Sequence, residues 1–159
     1  MRHEIHLVLN GEEQVLEVEA SQTLLQVLRD RLHVTSPKRS CEQGECGACT
    51  VILNGKAVNS CLVLAVTVHG KAVETVEGLG NDAVHPLQKH FQELAASQCG
   101  YCTPGMLLTA QALIKEHPEA TREEIREYMS GNLCRCTGYQ AIIDAIETVL
   151  RTPRKEVLR

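Results

Sequence analysis

The chain has no tryptophan, one phenylalanine and three tyrosines, so only 3% of its 159 residues are aromatic. Large rings supply much of the burial in a small core, and their scarcity here means a light one. The length suits one ordinary domain or two small ones. Two domains of roughly 80 residues each lie near the size at which metals or other staples help stability. A run of about eighteen apolar residues, long enough to span a membrane, is absent. So is any basic excess: 16 Lys and Arg against 20 Asp and Glu give a net charge of −4, which removes the electrostatic case for a nucleic-acid partner. Residues 1–6 carry one positive charge but no apolar stretch of secretory length. The cytoplasm is the expected compartment, and thiols stay reduced there. No serine-hydrolase motif, phosphate loop or G-x-G-x-x-G fingerprint occurs, so the chain shows no means of breaking bonds by itself.

What the chain does have is cysteine, eight in two groups of four. The first group is Cys41, Cys46, Cys49 and, twelve residues on, Cys61; the second is Cys99, Cys102, Cys134 and Cys136. The spacing C-x4-C-x2-C…C of the first group is that of plant-type [2Fe–2S] ligands. The second group matches no ordinary ferredoxin, and neither leaves a thiol over. Disulfides are the first alternative, with 105 pairings open to eight cysteines. The reducing compartment and the closeness of Cys134 to Cys136 stand against them. Zinc is the second alternative, and a stronger one for the later quartet, because four-cysteine zinc sites commonly contain C-x2-C pairs. None of the seven histidines falls inside a cysteine motif, so a Rieske site has no support. Gly44 and Gly47, inside the first loop, allow tight turns and bring backbone N–H groups close to sulfur.

The first half of the chain reads as two hairpins around one helix. Ile5, Leu7 and Leu9 alternate before the turn signal Asn10-Gly11, and residues 15–18 return. Leu24, Leu25, Val27, Leu28 and Leu32 give a helix an apolar face, with Ser21 or Thr23 as its N-cap. Residues 50–53 form a short strand, Asn54-Gly55 turns the chain, and residues 62–68 supply the next strand. Residues 73–76 make a last one, and Gly78, Gly80, Asn81 and Asp82 read as a linker. Beyond it the periodicity is helical, over residues 86–96, 104–117, 121–129 and 139–150, with residues 152–159 a disordered tail. Thr121 and Glu124 form a capping box, and Gly131 closes that helix. Thr103 and Thr137, each just after a cysteine, are expected to cap helices whose N-termini face the second cysteine group and offset its negative charge. The fold class is α+β: a small β-grasp sheet, residues 1–78, followed by a four-helix bundle, residues 79–159.

Three blocks carry a family resemblance: Cys41-Glu42-Gln43-Gly44-Glu45-Cys46-Gly47-Ala48-Cys49, Gln98-Cys99-Gly100-Tyr101-Cys102-Thr103-Pro104-Gly105, and Gly131-Asn132-Leu133-Cys134-Arg135-Cys136-Thr137-Gly138-Tyr139. In this order and spacing they resemble the small iron–sulfur subunit of molybdenum hydroxylases, the xanthine dehydrogenase, aldehyde oxidoreductase and aerobic carbon monoxide dehydrogenase family. The resemblance runs from about Ile5 to about Leu150. It implies that Cys41, Cys46, Cys49 and Cys61 hold an outer [2Fe–2S] cluster in a plant-type ferredoxin-like domain, with Gly44 and Glu45 facing a flavin. Cys99, Cys102, Cys134 and Cys136 would hold an inner cluster, with Gln98 and Cys136 approaching the pterin of a molybdenum cofactor. It further implies an oxidoreductase subunit that relays single electrons from molybdopterin to FAD. Those two cofactors would sit on a large and a medium partner subunit of a heterotrimer, alone or doubled. A free-standing two-cluster ferredoxin and a zinc-stapled scaffold protein are the competing readings.

Overall fold

The computed structural model describes residues 2–80 and 83–152. Its first half is a five-stranded mixed sheet in the order β2-β1-β5-β3-β4. The strands are β1 (Arg2–Leu9), β2 (Glu12–Glu19), β3 (Thr50–Leu53), β4 (Lys56–Asn59) and β5 (Lys71–Glu74). β1 and β5 run parallel and the other pairs antiparallel. The alternation read along β1 holds: Ile5, Leu7 and Leu9 are buried while the residues between them face out. β2 forms one edge of the sheet, and its Glu12, Glu13, Glu17 and Glu19 are exposed, a charge pattern that discourages further strand pairing. Helix α1 (Leu24–Asp30) is closed at its start by Thr23 and Gln26 in a reciprocal capping box. Leu24, Val27 and Leu28 join Ile5, Val51 and Val73 in the core of this half.

One expected strand is corrected. The stretch is instead two 3₁₀ turns, Ser60–Leu62 and Ala65–Val68, and between them Leu64 makes an isolated antiparallel bridge with Thr23. The two-residue turn at Asn54-Gly55 pairs Leu53 with Lys56 and Thr50 with Asn59, so the returning strand is already spent at residue 59. The apolar residues that follow serve the core as turns: Ala65 and Val68 are fully buried.

The second half holds α2 (Pro86–Glu93), α3 (Thr103–Glu116), α4 (Arg122–Met129) and α5 (Gln140–Arg151), packed on one another. They share a second core, including Leu87, Phe91, Met106, Leu113, Ile142 and Ile146. The expected box at Thr121 and Glu124 is present, and Gly131 directly follows the C-cap Ser130. Asn81, Asp82 and residues 153–159 of the expected linker and tail lie outside the described residues. Among the described residues no helix is long and apolar enough to cross a membrane.

α3 joins the two halves. It is buried nearly all round, with Met106, Ala110 and Leu113 in the helical core and Leu108 and Ala112 pressed on Ile52 of β3. Each fully buried Leu or Ile is worth about 1.5–3 kcal/mol of transfer free energy, so this one helix secures both the helical core and the joint to the sheet.

α2 opens unusually. Its N-cap is His85, whose Nδ1 accepts the Leu87 N–H (3.2 Å) while Gln88 Oε1 accepts the His85 N–H (3.0 Å). Burial, and then the charge of Lys115, push the His85 pKa down, so the folded chain keeps the neutral imidazole that a nitrogen acceptor requires. A histidine with a depressed folded pKa stabilises fully above its unfolded value of about 6.5 and loses that stability as pH falls toward the folded value. Urea denaturation is expected to show this loss between pH 7.5 and 5.5. His85→Asn, an uncharged cap, is expected to remove the His85 part of that pH dependence at a cost within about 1 kcal/mol at pH 7.5.

Candidate metal centres

The β3–β4 hairpin assembles half of the first cysteine group. Thr50 pairs with Asn59, so Cys49, just before one strand, and Cys61, just after the other, reach the same end of the ladder. The Ser60 hydroxyl donates to the Cys49 carbonyl (2.7 Å) and fixes that end. Cys41 and Cys46 lie on the loop before β3, which turns through left-handed backbone at Glu42, Gly44 and Gly47. Asn59 Nδ2 donates to the Gly44 carbonyl (2.8 Å), holding the loop to the hairpin. Cys49 and Cys61 are buried, Cys41 and Cys46 half-buried, and Glu45 exposed.

Charge is handled differently across this group. The Gln43 N–H, 3.4 Å from Cys41 Sγ, and then the Cys46 N–H bring the Cys41 thiol down to about 6. Burial, and then the neighbouring Cys49 thiol, push Cys61 up to about 11. Cys41 is a ready anion; Cys61 needs a cation to ionise.

The second group comes from two loops. Cys99 and Cys102 precede and open α3, and Cys134 and Cys136 lie between α4 and α5. Burial and the Cys134 thiol push Cys102 up to about 12. Burial acts upward on Cys134 as well, but the Thr137 hydroxyl (3.1 Å) and N–H (3.4 Å) both donate to its Sγ and hold the thiol below its ordinary value. The Cys134 N–H in turn donates to the Tyr139 hydroxyl (2.8 Å). Cys99, Cys136 and Gln98 are exposed.

The expected threonine caps are corrected. The N-cap of α3 is Cys102 itself, Thr103 is the first helical residue, and its hydroxyl pairs with Ser97 Oγ at 2.8 Å. α5 is entered through Tyr139 at φ 68°, without a side-chain cap. Thr137 sits too early for capping and instead donates to sulfur, accepting the Tyr139 N–H at 3.2 Å.

Within each quartet the thiols act on one another: Cys46 on Cys41, Cys49 and Cys41 on Cys61, Cys134 and Cys99 on Cys102, and Cys99 and Cys134 on Cys136. Among the described residues no three His, Cys, Asp or Glu side chains converge on one ion. A mononuclear zinc site needs four donors at about 2.3 Å from one centre. Four neighbouring thiols that do not converge on one point suit a binuclear group, so the donor chemistry fits [2Fe–2S].

A model described as "2Fe-2S iron-sulfur cluster binding domain" matches residues 7–78, and one described as "[2Fe-2S] binding domain" matches residues 75–147. The nicotine 6-hydroxylase small subunit of Paenarthrobacter nicotinovorans is 46% identical over 145 residues, 91% of this chain and 88% of that one. The nicotinate dehydrogenase small FeS subunit of Eubacterium barkeri is 50% identical over 143 residues, 89% of this chain and 91% of that one. A crystal structure of quinoline 2-oxidoreductase from Pseudomonas putida 86 superposes with a TM-score of 0.90 at 45% identity, covering 98% of this chain and 99% of the matched chain. The chain belongs to the small iron–sulfur subunits of the molybdenum hydroxylase family. It is thus an oxidoreductase subunit of that family, and its three quoted blocks are the ones that lie at the two thiol groups.

Several residues of this family member that bear on the sites escaped the sequence reading. Asn132 is 4% exposed, and its Nδ2 donates to the Gly47 carbonyl (3.1 Å) across the joint between the halves. Leu133 N–H donates to the Cys46 carbonyl (2.9 Å). Gly105 lets α3 approach, since a Cβ there would overlap the Gly47 carbonyl oxygen. Asn132 and Gly105 stood inside the quoted blocks, but nothing in their spacing named a partner some 60 or 85 positions away. Gly105→Ala is expected to force the joint apart at a cost of about 1–3 kcal/mol. A lowered melting temperature of the purified protein, with both iron contents intact at low temperature, is the check; an unchanged melt refutes the close approach.

Proposed function

We propose that this chain is the electron-transfer subunit of a molybdenum-dependent hydroxylase or dehydrogenase. It relays single electrons from a molybdopterin centre on a large partner subunit, through two [2Fe–2S] clusters, to FAD on a medium partner subunit. The observation that carries this reading is the presence of two separate four-thiol groups, each within a stretch that matches a [2Fe–2S] binding domain, on a chain similar to small subunits of hydroxylases and dehydrogenases. Cys41, Cys46, Cys49 and Cys61 hold one cluster, and Cys99, Cys102, Cys134 and Cys136 the other. A bound [2Fe–2S] cluster supplies one-electron uptake and release, at a potential tuned by charge, exposure and hydrogen bonds to sulfur.

The chain's own contribution is placement and tuning. Thr137 and the Gln43 N–H donate to Cys134 and Cys41 sulfur and so favour the more negative, reduced state. Residues 1–78 act as a ferredoxin-like β-grasp domain and residues 79–159 as a four-helix bundle; two separate cores support that division. The Gly44–Glu45 loop faces the flavin and the Gln98–Cys136 side faces the pterin. Exposed thiols at Cys99 and Cys136 favour a partner that covers them, since an open cluster is a labile one. A heterotrimer, single or doubled, working in the cytoplasm meets these needs, and relatives named as small subunits point the same way.

Low-temperature EPR of the dithionite-reduced complex is expected to show two distinct [2Fe–2S] signals, with molybdenum on the same sample. One signal, or zinc in the second quartet, overturns the relay. Cys136→Ser is expected to abolish the second-site signal and substrate-driven flavin reduction while the first-site signal survives. In Cys46→Ser the second site stays reducible by substrate and flavin reduction stops; normal flavin reduction in that variant removes the first site from the path.

A further inference from the structure

We infer that Asn132 is a positioning residue that sets the electronic contact between the two thiol sites. The inference rests on the two-cluster reading above and goes beyond it. One carboxamide meets three ligand-bearing segments. Its Nδ2 donates to the carbonyl of Gly47, which lies between Cys46 and Cys49 (3.1 Å). Its Oδ1 accepts the hydroxyl of Thr109 (2.9 Å), on the helix whose N-cap is Cys102. Its own backbone leads through Leu133 to Cys134.

The consequence is a fixed bond between the sites. Leu133 N–H donates to the Cys46 carbonyl (2.9 Å), so a single hydrogen bond joins the residue that carries one thiol to the residue just before Cys134, which carries another. Electron tunnelling weakens steeply across a gap and far less through bonds. With a cluster bound at each site, this contact would carry one electron from the second-site cluster, oxidised by one unit, to the first-site cluster, reduced by one, with no bond broken and no proton required. Holding Leu133 against Cys46 is therefore what decides the coupling.

Packing alone does not explain an asparagine here. A buried amide costs free energy unless its groups are paired, and an apolar side chain would avoid that cost. Its advantage is direction: the Thr109 hydroxyl fixes the amide's orientation, so that the NH₂ and not the oxygen faces the Gly47 carbonyl. Gly47 admits no side chain of its own, since a Cβ on it would lie 2.6 Å from both Asn132 Nδ2 and the Gly131 carbonyl oxygen.

The test uses the purified, assembled complex. Asn132→Asp keeps the shape but cannot donate to Gly47; Thr109→Val keeps the shape but no longer orients the amide. Splitting of the EPR signals in the fully reduced complex reads the magnetic contact between the two clusters, and EPR-monitored titration reads each potential. Both variants are expected to narrow the splitting and to slow substrate-driven reduction of the first site severalfold, Thr109→Val less than Asn132→Asp. A lowered melting temperature with splitting, potentials and rate unchanged would show a purely structural role and overturn the inference. Should Asn132→Asp fail to assemble, Thr109→Val decides alone: narrowed splitting supports the role, and wild-type splitting ends it. Failure of the underlying reading looks different, because the wild-type complex would then lack the second [2Fe–2S] signal altogether.

Discussion

One carbonyl oxygen, that of Gly47, holds the two halves of the chain in register. It accepts the Thr50 N–H (3.1 Å) and hydroxyl (2.7 Å) from its own half and Asn132 Nδ2 (3.1 Å) from the other. The same oxygen packs where Gly105 of α3 has no side chain. Because Cys46 precedes Gly47 directly and Cys49 follows two residues on, any shift at this point moves the first thiol group relative to the second. The positive φ of 66° at Gly47 is the backbone condition for the arrangement, and glycine meets it without strain. Two further ties cross nearby: Leu133 N–H to Cys46, and the Tyr101 hydroxyl to the Arg39 carbonyl.

α3 does for packing what Gly47 does for hydrogen bonding. Its N-terminus carries Cys102, its middle presses Leu108 and Ala112 on Ile52, and its opposite face fills the helical core. A chain with one phenylalanine and no tryptophan has few large side chains to spend. Using one helix for both cores makes the small supply sufficient, and it ties the second thiol group to the sheet that builds the first.

The thiols themselves are graded. In each quartet at least one is pushed up by burial, Cys61 and Cys102, and one is held down by donors to its sulfur, Cys41 and Cys134. The donors are backbone N–H groups in the first loop and mainly Thr137 in the second. Both devices use short local segments, so each site tunes its own sulfur while the joint between them fixes separation and contact.

Local chemistry was legible from the residues alone. The two cysteine quartets, the Asn10-Gly11 and Asn54-Gly55 turns, the capping box at Thr121 and the apolar faces of the helices all depend on neighbours within a few positions. The misread elements had neighbours as well, but tertiary demands won. Residues 62–68 are β-prone yet fold as turns, because the hairpin register ends at Asn59 and Cys61 must reach Cys49. Thr103 and Thr137 look like caps, yet Cys102 takes one cap position and a sulfur takes the other hydroxyl. What only the tertiary structure decided is how each quartet is gathered and how the two sites touch. Asn132 and Gly47 are 85 positions apart, and Leu133 and Cys46 slightly further. Spacing within a sequence specifies which side chains share a loop; contact between loops is set by the packing of α3 on β3, and no local pattern encodes it.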